Sequence, residues 1–241
     1  MTSMPSPPSA VVRPPSVFDE VAEQYDDTHS PAVTEHYLAK RARFIDGLLQ
    51  PASTIVDVGC GTGYLAARLA TLGHRVTGCD PSAGMLEQAR RRERRAVRWI
   101  QADGAGLPIP PASVDCAITV AALHHVFDPR RVAQTVRELY RIVRPSGIVI
   151  IWDHNPNNPY WPILMARISH DLENVRLVPA SELVETLRSC GARDIQVSQS
   201  GWVPDFTPSW AIGLGQLGER VLEWLPGVRR LGAHNVVVVR K

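Results

Sequence analysis

Several features that would point to particular classes of protein are missing from the sequence. It has only four cysteines, which are widely spaced, with no CxxC pair and no neighbouring histidine at a zinc-ligand spacing. Reduced and mostly buried thiols are therefore expected, as in a cytoplasmic protein, and no metal site is expected. The four are Cys60, Cys79, Cys116 and Cys190.

Long apolar runs and an excess of charge are also absent. No window approaches the roughly 20 apolar residues of a membrane span, so stable membrane insertion is not expected. The 26 basic and 24 acidic residues give a formal net charge of +2, too balanced to favour nucleic acid as a partner. The most basic segment, residues 89–98, ends a predicted helix and is expected to be a solvated helix face.

The composition is that of a globular protein behind a short polar tail. With 241 residues, 44% of them hydrophobic, the chain suits one large domain or a domain with a cap. Residues 1–15 are rich in proline and serine and lack the basic and apolar regions of a signal peptide. A disordered tail is predicted there.

Strand-like and helix-like segments alternate through the first part of the chain. The predicted strands are short runs, several with β-branched residues, flanked by Gly, Pro or Asp. The segments between them repeat apolar residues at helical spacing. This alternation predicts an α/β fold with a parallel sheet covered by helices on both faces. The strands are expected at residues 54–58, 75–79, 97–101, 114–120 and 147–152.

The pattern changes after the fifth predicted strand. Residues 153–162 form a loop rich in proline and asparagine, and residues 181–191 are helix-like. Two further strands are predicted, at residues 193–203 and 234–240. The connection between them is far longer than a hairpin turn needs and contains one amphipathic helix.

A glycine-rich turn follows the first predicted strand. In IVDVGCGTGYL, Gly59, Gly61 and Gly63 come directly after Asp57 and its strand. Such a turn lets backbone N–H groups and a helix amino terminus approach a ligand at the carboxyl edge of the sheet, where doubly wound folds bind nucleotides. The turn therefore predicts a nucleoside ligand.

The turn could bind either a dinucleotide cofactor, such as NAD, or a cofactor with a single nucleoside. A dinucleotide fingerprint has its final glycine where this chain has Tyr64, which weakens the hypothesis of an NAD-dependent dehydrogenase. Asp80, at the end of the second strand, could bind the ribose of either cofactor. Asp103, after the third strand, could hold an adenine amino group.

Six segments in this order resemble the class I S-adenosylmethionine-dependent methyltransferases. The resemblance is to the type 11 group, which includes ubiquinone and menaquinone methyltransferases and natural-product tailoring enzymes, and it covers roughly residues 17–152. It implies a Rossmann-like fold with a seven-stranded, mostly parallel sheet of order 3-2-1-4-5-7-6 and an antiparallel last strand. The segments are FDEVAEQYD, VDVGCGTG, GCDPSAGML, ADGAGLPIP, SVDCAITVAALHHV and LYRIVRPSG.

The resemblance also implies a set of cofactor-binding residues. Amino-terminal helices would fold over S-adenosyl-L-methionine as a lid, with Tyr25 in contact with it. One group would hold the methionine end, and a second would flank the ribose and adenine. The first group is Asp57, Gly59, Gly61, Gly63 and Ala121, and the second is Asp80, Pro81, Ser82, Met85, Asp103 and Gly104.

The same resemblance divides the chain into functional parts. Lid helices are expected at 16–50, the cofactor-binding core at 51–152 and an acceptor-side half at 153–241, with a helical cap at 202–233. The cap helix has an apolar stripe that would cover the acceptor pocket or pack on the sheet. Its polar face is not strongly basic, which argues against interfacial membrane binding. The stripe comprises Trp210, Leu214, Leu217, Val221, Leu222 and Trp224 or Leu225.

Histidines are the candidate bases for in-line methyl transfer. His124 and His125 end the fourth predicted strand, and neighbours on an extended chain point to opposite faces, so only one is expected to face the cleft. His154, beside Asp153 after the fifth strand, is a second candidate base or orienting group. A structural role is the alternative for all three histidines.

The sequence therefore predicts a methyltransferase that acts on a small, partly apolar or aromatic acceptor, with O- or C-methylation favoured, in secondary or cofactor metabolism. One alternative is a cyclisation that uses the cofactor as a fixed positive charge. The others are an NAD-dependent dehydrogenase and a binding-only role in a complex. A cytoplasmic location is expected, and a homodimer is compatible with the sequence.

Overall fold

The computed structural model describes residues 17–28, 30–161 and 175–241. The predicted tail at 1–15 lies outside the described residues. The strands form a seven-stranded sheet of order β3-β2-β1-β4-β5-β7-β6, in which only β7 runs antiparallel to its neighbours. The predicted fold and strand order are confirmed. The strands are β1 (Thr54–Val58), β2 (Arg75–Asp80), β3 (Val97–Gln101), β4 (Val114–Val120), β5 (Val143–His154), β6 (Asp194–Ser200) and β7 (His234–Arg240).

Helices cover both faces of this sheet. Local sequence sets several helix starts: Ser82 caps α4 by accepting from the Met85 N–H, and Asp128 caps α5 ahead of a proline at its first position. The α-helices are α1 (Val17–Val21), α2 (Pro31–Asp46), α3 (Tyr64–Thr71), α4 (Ala83–Arg92), α5 (Pro129–Ile142), α6 (Ala180–Ser189) and α7 (Ile212–Trp224), and the 3-10 helices are Tyr25–Thr28, Leu123–His125, Ser209–Ala211 and Val228–Leu231.

The core lies in two layers, one on each face of the sheet. Alternate residues of β1 show the division: Ile55 packs with Ile45 and Leu69, whereas Val56 belongs to the cluster of Val136 and its neighbours on α5 and α6. Burying a side chain of this size contributes about 1.5 to 3 kcal/mol. The sheet is therefore held rigid from both sides, and its carboxyl edge is a fixed platform.

Strand β5 is longer than the sequence predicts. It begins at Val143, directly after α5, and continues to His154, through a shift in its pairing register with β4. Pro145 and Gly147 suggest a turn in sequence, and Ser146 between them has a left-handed φ of 65°. Register pairing resumes at Ile148, so this segment is an irregularity within the strand. The prediction that His154 lies in a loop is therefore wrong, because it is the last residue of a strand and pairs with His234 of β7.

The cap helix also differs from expectation. Helix α7 has Glu219 as its only buried residue, and the predicted apolar stripe faces outward. The expectation that this stripe covers a pocket or packs on the sheet is wrong, because ion pairs hold the opposite face of the helix against the protein. Across the described part of the chain, no helix has the length and hydropathy to cross a membrane.

Candidate active site

The glycine-rich turn leaves the carboxyl end of β1 in left-handed backbone conformations. Gly59, Gly61 and Gly63 have φ angles of 73°, 51° and 81°, which favour glycine. The Gly59 N–H donates to the Cys79 carbonyl at 2.8 Å, and the Gly61 N–H donates to Asp80 Oδ2 at 2.9 Å. The end of β2 therefore fixes the shape of the turn.

The three glycines have different surroundings. A Cβ on Gly61 would meet no atom within 4 Å, so this glycine borders open space. A Cβ on Gly59 would lie 2.5 Å from the Ala122 Cβ, and one on Gly63 would lie 2.5 Å from the Trp99 ring. Gly61 therefore borders space that a ligand could enter, and contact of all three glycines with the cofactor stays a prediction. Gly59 brings the turn against the end of β4, and Gly63 packs α3 onto β3.

Two buried carboxylates lie beside the turn without a basic partner in the part of the chain that the structure describes. Burial, and next the charge of Asp80, raise the pKa of Asp57 to about 7. Burial also raises the pKa of Asp80, against the opposing effect of N–H groups from Ser82 and Gly61. A cation placed between these carboxylates would lower both raised pKa values. The site therefore suits a positively charged nucleoside, as S-adenosylmethionine is.

Helix α1 closes over the start of α4. Asp19 accepts a hydrogen bond from the Ser82 hydroxyl at 2.6 Å and another from the Gly84 N–H at 2.9 Å. The Ser82 hydroxyl also caps α4, and its predicted contact with the cofactor stays a prediction. Pro81 is exposed beside Asp80, and Met85 is buried.

The 3-10 helix after α1 is tied to the glycine turn. Asp26 accepts from the Thr62 hydroxyl at 2.7 Å and from the Arg92 guanidinium at 2.6 Å. Tyr25 starts this helix, and its ring contacts Phe18 of α1 in an edge-to-face arrangement. The segment is thus fixed beside the glycine turn, and its role as a lid over the cofactor stays a prediction. Arg92 also shows that part of the basic run binds the lid.

The turn after β3 contains the predicted adenine contacts. Asp103 forms an ion pair with Arg131 of α5, and its other oxygen accepts from the Ala105 N–H at 2.9 Å. A Cβ on Gly104 would lie 2.9 Å from a Thr135 methyl group. These contacts fix the turn against α5, and contact of Asp103 with adenine stays a prediction.

The two histidines after β4 do not continue the strand. Ala121 has a left-handed φ of 52°, and the 3-10 helix Leu123–His125 follows it. Successive side chains on a 3-10 helix are about 120° apart, not 180° as on a strand. The expectation that His124 and His125 point to opposite faces is therefore wrong, and their rings lie 3.9 Å apart between centroids.

His124 and Asp153 form a buried pair at this edge. His124 Nδ1 lies 2.7 Å from Asp153 Oδ1, and Asp153 Oδ2 accepts from the Leu123 N–H at 2.7 Å. Burial alone would raise the pKa of Asp153, but the charge and hydrogen bond of His124, with backbone N–H groups, hold that pKa below its usual value. An ionised carboxylate only accepts, so Nδ1 of His124 donates to it, and in the neutral form of the ring Nε2 is the acceptor.

Aromatic rings form a continuous column through the site. Trp161 stacks on His154 with centroids 3.8 Å apart, and His154 stacks on His124 at 4.0 Å. His125 continues the column beside His124, and Phe18 of the lid meets His125 edge-on at 4.8 Å. The column therefore joins the carboxyl-terminal half of the chain to the amino-terminal lid.

One residue of this region, His234, has no role in the sequence-based prediction. Burial, and next the charge of Arg41, lower the pKa of His234 to about 3. The Arg41 guanidinium lies 3.4 Å from His234 Nε2. Burial and the neighbouring His124 lower the pKa of His125 to about 3 and that of His154 well below its usual value. His125, His154 and His234 are therefore neutral near pH 7. The only sequence signal for a role of His234 is its position at the start of the predicted antiparallel strand.

His124, Asp153 and His154 also resemble a metal-ligand set. One candidate ligand atom from each lies within 4.8 Å of the others. However, Asp153 Oδ1 accepts from the His154 N–H at 2.7 Å and contacts His124, while Oδ2 accepts from Leu123. These hydrogen bonds already occupy the carboxylate. That no metal takes part stays a prediction.

Comparison with known proteins defines the class. Residues 56–151 match a family model described as a methyltransferase domain. This match, the strand order and the glycine turn identify a class I S-adenosylmethionine-dependent methyltransferase domain in this part of the chain. The predicted enzyme class and its cofactor are thereby confirmed.

Individual relatives with known names are similar to this chain over most of its length or over its cofactor-binding part. A 2-phytyl-1,4-naphtoquinone methyltransferase of Nostoc punctiforme is 30% identical over 155 residues, which is 60% of this chain and 66% of that protein. A demethylmenaquinone methyltransferase of Clavibacter sepedonicus is 27% identical over 91% of both chains. A solved methyltransferase from Thermotoga maritima has a TM-score of 0.66 at 22% identity, covering 93% of this chain and 98% of its own, and shows the same fold. These relatives favour methyl transfer over dehydrogenation or cyclisation.

Proposed function

We propose that this protein methylates an oxygen, or a carbon activated by a neighbouring oxygen, on a small aromatic acceptor in secondary or cofactor metabolism. The observation that carries the proposal is the His124–Asp153 pair at the edge of the sheet that also holds the glycine turn. The named relatives act on naphthoquinones or menaquinone precursors, which are aromatic rings of this kind.

The cofactor is assigned to the turn and the two carboxylates. The open space at Gly61 admits the close approach of a ligand, Asp57 would attract the positively charged methionine end, and Asp80 retains acceptor capacity for ribose hydroxyls. When bound, S-adenosylmethionine supplies an electrophilic methyl group on a sulfonium. The lid contacts of Asp19 and Asp26 would then exclude water from the cofactor.

The role assigned to His124 is that of a general base. Asp153 holds the His124 ring in the tautomer whose Nε2 can accept a proton from an acceptor hydroxyl, and its negative charge stabilises the imidazolium that forms. Removing that proton raises the electron density on the oxygen and on ring carbons conjugated with it. Base catalysis of this kind contributes about 10²- to 10⁴-fold.

The surroundings of the pair favour an aromatic acceptor over a charged one. His125, His154 and His234 are neutral near pH 7, and Trp161 and Phe18 extend the column of rings. Flat faces of this kind stack on an aromatic ring, and each aromatic pair contributes about 0.5 to 1.5 kcal/mol.

The test is transfer of a labelled methyl group to a panel of hydroxylated naphthalenes, reduced naphthoquinones and primary amines. We expect label on the hydroxylated rings, and we expect Asp153→Asn to lower kcat at least about 100-fold with S-adenosylhomocysteine affinity changed less than about twofold. Asp115→Asn is the matched control, because Asp115 holds Arg144 at the opposite edge of the sheet. Label on amines alone, product without label, or an unchanged kcat in Asp153→Asn would contradict the proposal.

A further inference from the structure

The cap helix α7 is turned so that its apolar face meets solvent. Trp210, just before the helix, is 81% exposed, Leu214 is 69% exposed and Trp224 is 79% exposed. Leu217 and Val221 complete the stripe at helical spacing and are exposed as well. This contiguous surface differs from the scattered apolar residues that are normal on a protein surface.

Specific polar contacts hold the helix in this orientation. Glu219 lies 3.0 Å from His36 Nε2 and 2.9 Å from Lys40 Nζ, and it also accepts from the Trp202 N–H. Glu223, one turn further, forms an ion pair with Lys40 at 2.6 Å. The polar face is thus committed to helix α2 and to the end of β6, so the helix cannot rotate its stripe inward without breaking these contacts.

The exposed charges on α7 and directly after it are of one sign. Within residues 206–231 the two carboxylates are Glu219 and Glu223, and both are engaged by Lys40. The basic residues Arg220, Arg229 and Arg230 are all exposed. Two further exposed apolar side chains, Phe206 and Leu231, flank the helix. The surface therefore combines tryptophans, aliphatic side chains and arginines that form no ion pair with the residues that the structure describes.

We propose that this face docks on an anionic lipid surface, with α7 lying in the interface. The sequence argues against interfacial binding because the polar face of α7 is not strongly basic. In the structure that face points into the protein, so the flanking arginines determine the charge on the outward surface. Tryptophan suits the boundary between headgroups and acyl chains. A second copy would bring the same arginines together without an exposed carboxylate to pair them, which disfavours self-association. Docking does not depend on the acceptor in the proposed function.

The test uses flotation of the full chain with vesicles of phosphatidylcholine, with and without phosphatidylglycerol. We expect binding only when phosphatidylglycerol is present. The double variant Trp210→Ser/Trp224→Ser should lower the partition coefficient at least about tenfold, and Arg220→Gln about fivefold. Leu72→Gln is the control, because Leu72 is exposed at the end of α3 and should leave binding unchanged. Circular dichroism and S-adenosylhomocysteine binding verify that each variant is folded.

Three outcomes would overturn the proposal. The first is no binding to anionic vesicles, or equal binding of wild type and the double variant. The second is a wild-type dimer that the double variant converts to monomer, which would assign the face to a second copy. The third is a monomer in which Trp210 and Trp224 resist quenching by acrylamide without vesicles, because another part of the chain would then cover them. Since vesicle binding is measured without an acceptor, failure here leaves the methyl-transfer test intact.

Discussion

At the scale of single residues, Asp57 and Asp80 show how the site selects a cation. Both are buried, which raises the pKa of each, and the charge of Asp80 further disfavours ionisation of Asp57. Asp80 is partly compensated by the N–H groups of Gly61 and Ser82, whereas the pKa of Asp57 rises to about 7. A bound positive charge would lower that pKa, so cofactor binding and ionisation of Asp57 are coupled.

We expect S-adenosylhomocysteine affinity to rise with pH up to about 7 and to level off above it. Below that pH the free protein binds a proton at Asp57, and the ammonium group of the ligand must displace it. Calorimetry in buffers of different ionisation enthalpy should therefore detect proton release at pH 6 that disappears at pH 9.

The variant Asp57→Asn is the control for that coupling. It should bind the ligand more weakly and with little pH dependence below pH 8. It should also unfold at a higher temperature than wild type at pH 8. A carboxyl whose folded pKa is raised contributes stability below its unfolded pKa and loses that contribution as pH rises through about 7. A pH slope unchanged by Asp57→Asn would reject this role.

At the scale of elements, the glycines of the turn have two roles, ligand access and packing. Gly61 borders open space, whereas Gly63 faces the Trp99 ring and the methyl group of Ala89. The GxGxG spacing does not distinguish a glycine that contacts a ligand from one that packs against the protein. The sequence alone therefore assigns all three glycines to the cofactor. The division depends on how β3 brings Trp99 beneath the start of α3.

Gly61→Ala and Gly63→Ala should therefore have different effects. Both place a side chain at a positive φ, which costs on the order of 1 kcal/mol. Gly61→Ala should otherwise leave the fold intact and weaken S-adenosylhomocysteine binding at least about tenfold. Gly63→Ala should lower the free energy of unfolding by about 3 kcal/mol, because its Cβ would lie 2.5 Å from Trp99. Urea denaturation and calorimetry measure the two effects, and equal losses in both assays would refute the division.

The element after β4 is decided by local geometry that sequence patterns do not show. The run ending in His124 and His125 has strand-like composition, yet the positive φ of Ala121 turns the chain into a 3-10 helix. Asp153 stabilises this turn by accepting from the Leu123 N–H. Because Asp153 comes from β5, the pairing of two distant strands determines where the histidines point.

At the scale of the whole molecule, α2 is joined to the cap near the other end of the chain. Tyr37 exchanges hydrogen bonds with the backbone of Val203, and Val33 packs in the same small cluster. Glu219 adds the ion pairs to His36 and Lys40. Residues more than 160 positions apart are thereby joined on one side of the sheet, as the 166-residue separation of Tyr37 and Val203 shows.

Glu219→Ala should destabilise the protein by about 3 kcal/mol, because it leaves His36 and the Trp202 N–H without their acceptor. Glu87→Ala, which removes an exposed pair with Arg91, should cost less than about 0.5 kcal/mol. Desolvation would raise the pKa of Glu219, but His36 and Lys40 lower it to about 2. Its contribution is thus present above pH 4.5 and lost as pH falls towards 2.

Urea unfolding at several pH values tests this linkage. The difference in unfolding free energy between wild type and Glu219→Gln should shrink as the pH is lowered from 5 to 3. If the difference were constant over that range, the ionised form of Glu219 would not be the stabilising species.

The sequence by itself determined the sheet and the cofactor side of the site. Strands β1, β3, β4 and β7 begin and end where the sequence predicts, since β-branched runs bounded by Gly, Pro or Asp are local signals. The class and cofactor follow from six short segments and their order along the chain. Only the tertiary structure decided the His124–Asp153 pair, the place of His234 and the outward stripe of α7. Each depends on contacts between residues far apart in the chain, which no local pattern encodes.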